Sequence, residues 1–484
     1  STPNPTLSLT AAAPFSGAGT LNANSNPNTV NYSGAGQTIR DVGYNNLSTS
    51  GSGTKAWTLA AIRTVGGNLT VGNGTTLTVG GGFAFTVSGT ATIGGGASGV
   101  FNITNGTGLK TFTGLVTVNA GATWNHSTAN PATSFGGGIT MNGTTFNNGT
   151  GAAAFSATQT LLGSSSMIFG GSVTPAVSTT LTNSNSATVT INNLVLTGNF
   201  TQGLNTPTLT VTNATPFSGG GVFDASTNTN TVSYTGSNQP IRSTTYSSLT
   251  VNGVGSATVG GTTTVNGTMT VSSSVTNNNT LTVTTALSGG SSLIQGVGST
   301  LNIDGTSGIT TLDANSNVNT VNYTGTAQTV KAVAYRTLGL NGSGLKTMTG
   351  VTTINGGLTI GGTASATAGA SLTISGTVTL GSGTTFTAGA FTHNITGDWI
   401  NNGATFNNAG STINLNGAAQ SIGGSSSTTF NNLILDGSNT KTFNIAAFTA
   451  GDLAINGVVG NLNTFTIHTA FTLRLDGSSQ VAGT

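Results

Sequence analysis

The chain predicts an all-β fold wound as a repetitive parallel β-solenoid, a β-helix-like rod, on three observations. Short apolar-Thr-apolar triplets recur at close intervals, as in Leu69–Val71, Leu77–Val79 and Phe85–Val87. Glycine, at 75 of 484 residues, and asparagine punctuate the triplets. Charged residues make up only 4% of the chain. Apolar-polar alternation is the period of a strand with one buried face, and Gly and Asn supply positive-φ corners. Strands of three residues cannot stand alone, so they must stack on neighbours. Tandem β-sandwich domains are the alternative; the solenoid explains better the shortness of the strands, the glycine corners and the missing charge.

Composition narrows the function. Disordered chains combine high net charge with few β-branched residues; here 35% of residues are hydrophobic and net charge is +2. The pI near 9.0 reflects two excess charges without a Lys/Arg cluster, so no nucleic-acid partner is expected. No apolar run approaches the roughly 20 residues of a membrane-spanning helix. Cysteine is absent, which removes disulfides and thiolate chemistry. A start at Ser1 without methionine is read as a mature product whose leader was removed, giving an extracellular or cell-surface expectation.

Internal repetition organises the chain. After an extended segment, 1–13, a first repeat region covers 14–215, with a lead motif at 28–47 and a degenerate copy near 154–198. Region 2 covers 216–310, region 3 covers 311–410, and 411–484 holds region 4 and the C-terminal end. Residues 14–47 align without a gap to 216–249, placing Tyr32, Gln37, Arg40 and Tyr44 over Tyr234, Gln239, Arg242 and Tyr246. Tyr323, Gln328, Lys331 and Tyr335 form the third copy. Gln420 belongs to the fourth, where Phe430 takes the second tyrosine's place.

The lead motif T-V-N-Y-x-G-x-x-Q-T-I at Thr29–Ile39 is followed by Tyr44, Leu47, the Gly51–Lys55 turn and the 65–79 strands. The pattern returns at Thr320–Val330, Tyr335, Leu338 and 342–347. It resembles the repeats of large secreted surface adhesins and fibre proteins of Bacteroidota and related bacteria. That resemblance implies a right-handed parallel β-helix-like fold and a role as an adhesin or surface fibre. Such proteins end in a distinct sorting domain, and no such segment is read after Gly451.

Reactive chemistry is not expected: no catalytic, cofactor-binding or metal-binding residue is assigned. His126, His393 and His468 stand apart, each read as a surface or turn histidine, whereas zinc needs three or four ligands in set spacings. The aspartates are scattered. Asp304 and Asp313 are the nearest pair and sit in turns, so the paired carboxylates of a polysaccharide-cleaving β-helix are missing. Lys55, Lys110, Lys346 and Lys441 recur just after a glycine turn, three of them followed by threonine, and read as solvated corner charges, with a weak anionic-glycan stripe as the alternative. The six tyrosines all lie in lead motifs, read as a stacked aromatic core or, if exposed, a sugar platform. The repeated glutamines read as buried amides bonding the coils above and below. Regular threonines also suggest an ice-binding solenoid, disfavoured by their variable spacing.

The most direct functional expectation is a non-enzymatic structural subunit of an extracellular filament, assembling head to tail with itself through strand or coil pairing. Leu7, Leu9 and Phe15 mark the candidate assembly segment. A monomeric adhesin stalk binding surface glycans is the alternative. Backbone pairing with few titratable groups further predicts indifference to pH and salt.

Overall fold

The computed structural model describes residues 4–25, 27–96, 98–437, 440–460, 465–467, 473–475 and 480–481. Among them there is no helix, and the strand ladders are parallel. The fold is a parallel β-solenoid. The tandem-sandwich alternative is thereby excluded, because sandwich sheets are antiparallel.

Two compact units divide the chain: Ser1–Pro240 with Thr244–Val254, and Ile241–Ser243 with Gly255–Thr484. In the first, each coil has up to three strand faces; Leu69–Val71, Thr75–Gly80 and Phe85–Val87 are the three faces of one coil. The sequence triplets at 69–71, 77–79 and 85–87 are therefore successive sides of one turn. An 11-stranded ladder begins at Thr6–Leu9 and ends at Phe223–Asp224. The second unit repeats the scheme, with Thr280, Thr300 and Thr320 in one register line.

Coil length varies. Leu47 pairs with Leu69, 22 residues on, and Ala91 with Val116, 25 on. The coils that hold the tyrosine motifs are shorter: Thr29 pairs with Asn46, Thr231 with Ser248, and Val321 with Leu338, 17 residues apart in each copy.

Alternation decides which side chains fill the coil. Val30, Leu47, Leu69, Ala91, Val116 and Ile139 lie one above another in register, all buried. On another face Phe85, Phe112, Phe135 and Phe155 form a file with centroids 6.2, 5.8 and 5.4 Å apart. Each such pair adds about 0.5–1.5 kcal/mol beyond area burial. Corners admit little. At Gly163 (φ 125°) an added Cβ would lie 1.9 Å from the Met141 carbonyl oxygen, and at Gly289 (φ 125°) 2.1 Å from that of Val271. One coil's backbone there passes directly over the next, so only glycine fits.

Candidate functional site

No cluster of three or more His, Cys, Asp or Glu able to hold a metal occurs among the described residues. The acidic pair separates: Asp313 caps a turn, accepting from the amides of Asn315 and Ser316, while Asp304 accepts from the Thr324 hydroxyl of the next coil. Asp41 pairs with Arg63 at 2.7 Å. Partial burial opposes its charge, but the Arg63 guanidinium outweighs this and holds the carboxyl below the usual range.

The repeated feature is a buried clasp in each tyrosine motif. The Tyr32 and Tyr44 hydroxyls meet at 2.8 Å, those of Tyr234 and Tyr246 at 2.8 Å, and those of Tyr323 and Tyr335 at 2.9 Å. The first hydroxyl of the pair also accepts from the amide of Arg40 or Lys331. The second donates to the carbonyl of that same residue. Two phenols thus satisfy both polar groups of one partly buried peptide position and tie across the 17-residue coil. Burial raises the pKa of Tyr32, Tyr44, Tyr323 and Tyr335. All six tyrosines are fully buried, so they offer no sugar platform. In the fourth copy Leu415 and Phe430 replace both tyrosines together, and that coil lengthens to the 20 residues between Thr412 and Asn432. Phe430 packs instead on Trp399, 5.4 Å between centroids.

The glutamines make a second clasp. Gln37 Nε2 donates to the Leu9 and Ala11 carbonyls of the preceding coil, while its Oε1 accepts from the Gly34 amide of its own turn. Gln239, Gln328 and Gln420 repeat the pattern. The bond therefore runs to the coil before and to the local turn, rather than to coils on both sides. Gln328 also reaches the next coil, accepting from Lys346 Nζ at 2.8 Å.

The lysines correct the sequence reading. Lys55, Lys110 and Lys346 are 0% exposed and Lys441 1%, not solvated corners. Each ammonium points inward and donates to main-chain carbonyls: Lys110 to Phe83 and Thr107 at 2.7 and 2.8 Å, Lys441 to Gly417 and Ala418 at 2.5 and 2.8 Å. Lys55 meets Gly34 and Ser52, and Lys346 meets Gly325. In three cases the lysine stacks directly on a clasp glutamine, in the register Gln37–Lys55, Gln328–Lys346 and Gln420–Lys441. Burial lowers the pKa of all four lysines. The recurring turn flags these positions; reading the charge as an outward residue misses that Lys55, Lys110, Lys346 and Lys441 occupy inward positions of their strands.

The histidines also turn inward. His126 is fully buried, its ring 4.5 Å from Trp124 and 5.3 Å from Phe101. Burial, helped by the nearby Lys110 charge, pushes its pKa down to about 3. His393 accepts from the Leu372 amide at Nδ1 and so donates from Nε2 to Ala388 O. His468 lies outside the described residues.

The assembly segment sits in its own coil. Thr6–Leu9 pairs in parallel with Thr29–Tyr32 and is the outermost strand of its ladder, so it is not held free for donation. The Pro5 and Leu9 carbonyls accept from the Thr29 and Ser33 amides. By strand alternation the peptide groups of Thr6 and Ser8 then face away from that partner. Leu7 is 46% exposed and Leu9 half-buried. Phe15 is half-buried, 6.5 Å from the Tyr32 ring and under the Arg40 guanidinium at 5.3 Å. Compared with known proteins, the chain matches no family model, no curated protein and no solved structure.

Proposed function

We propose that the chain is a structural subunit of an extracellular filament or surface fibre, growing as the coils of one copy stack on those of the next. The observation that carries this reading is the open edge of Thr6–Leu9. It is a strand in register with a parallel ladder, its outward peptide groups have no strand beside them among the described residues, and Leu7 is exposed next to them. An unpaired edge of this kind is a template for another chain. A head-to-tail contact is heterologous and propagates as an open polymer. The buried clasps fit such a role, since they spend their hydrogen bonds on holding coil to coil.

Ser8→Pro tests it. The substitution removes an outward N–H while leaving the Pro5 and Leu9 carbonyl bonds to the next coil. Wild-type protein should form long homopolymers in negative-stain micrographs, and S8P should remain folded, with β-type circular dichroism, but unassembled. Polymers of S8P equal to wild type, or a wild type that stays monomeric, would refute it.

A further inference from the structure

Beyond the open edge, the first unit carries a second kind of surface. The strands Thr188–Val195, Thr208–Val211, Thr231–Tyr234 and Ser248–Val251 lie side by side in unshifted register where they meet. Their outward positions form two columns. One runs Thr188, Thr208, Thr231 and Ser248; the other runs Thr190, Thr210, Ser233 and Thr250, in which Ser233 is covered, 8% exposed and donating to Asn252 Oδ1. The six threonines are half-exposed. Their hydroxyls bond to no protein group among the described residues and stand open to solvent. The hydroxyls repeat about 4.8 Å from coil to coil and about 6.8 Å along each strand, so water bound to them would repeat likewise.

From this lattice we infer that the 188–251 face binds ice. Each threonine offers one hydroxyl to hold a water and one methyl to restrict it. The parallel ladder fixes these groups in two dimensions, and no charged or aromatic side chain interrupts the two columns. A sugar polymer would be met by exposed rings, and an anionic partner by cations; neither is present here. Frozen water is a ligand that is itself a periodic, uncharged array of hydroxyls. The variable threonine spacing in the sequence hides the face, because coil lengths differ while the register of these strands does not.

The test is partitioning of purified full-length protein into a slowly advancing ice front, with ice-recrystallisation inhibition as a second readout. Wild type should be enriched in the ice. Thr210→Lys, at the centre of the array, should be excluded, while Thr92→Lys, on the separate Ala91–Ile93 ladder, should partition as wild type does. The S8P chain keeps the face and lacks the assembly edge, so its enrichment is expected whether or not filaments form, and ice binding can fail independently of the filament. Exclusion of folded wild type from ice would overturn the inference regardless of how the variants fold. So would enrichment of T210K equal to wild type.

Discussion

At the residue scale, stability rests on polar groups placed where the core has no water. The tyrosine clasp shows the logic: in the fourth copy both hydroxyls disappear together, as expected if leaving one partner buried and unpaired costs more than losing both. Tyr323→Phe should therefore cost about 1–3 kcal/mol locally. It should speed hydrogen exchange at the Lys331 amide, which loses its acceptor; unchanged protection would show the phenol is not that amide's partner. The pH dependence follows from His126. It is neutral in the fold, with a pKa near 3 against 6.5 unfolded, so the unfolded chain takes up the proton first as pH falls. Its stabilising contribution is complete above pH 6.5 and declines toward pH 3 by about 1.4 kcal/mol per pH unit. A denaturation series at pH 7, 5 and 4 should reveal this slope, and His126→Leu should flatten it. This replaces the indifference to pH that sparse charge suggests. Composition counts the titratable groups correctly, but whether His126 faces inward depends on the coil path around Trp124, which no local pattern encodes.

At the element scale, the strands are legible in the sequence because alternation is local. Leu69–Val71 and Phe85–Val87 announce their buried face in three residues. Coil length is not legible, because it depends on which triplets share a turn; the 17-residue coils emerge only from the register of Thr29 with Asn46. The lysine plug is hidden for a different reason. A charged residue in an inward position violates the usual rule, and it is tolerated here only because corner carbonyls converge on the ammonium. Lys346→Met should expose that dependence. The hydrophobic stem is preserved, but the Gly325 carbonyl and Gln328 Oε1 lose a charged donor, at about 1.5–3 kcal/mol. Amide exchange across Ser343–Met348 should accelerate, and exchange at wild-type rates would mean that the ammonium contributes nothing. Corner glycines act at the same scale. Gly289→Ala combines a positive φ with a Cβ 2.1 Å from a neighbouring carbonyl, so it should force the coils apart and lower the thermal midpoint more than Gly290→Ala, whose Cβ would meet nothing within 4 Å.

At the scale of the whole molecule, coils whose strands pair with the coils before and after them make stability close to a sum of nearest-neighbour terms. The proposed function accordingly lies in the faces and edges that such stacking leaves at the surface. The open edge at Thr6–Leu9 is the feature from which growth would proceed. Electron cryo-microscopy of the purified chain tests this most directly. The prediction is extended filaments whose power spectrum carries a layer line near 4.8 Å, roughly the spacing of stacked strands, with no interruption at subunit junctions. Separate particles of single-chain mass at every concentration examined would contradict it.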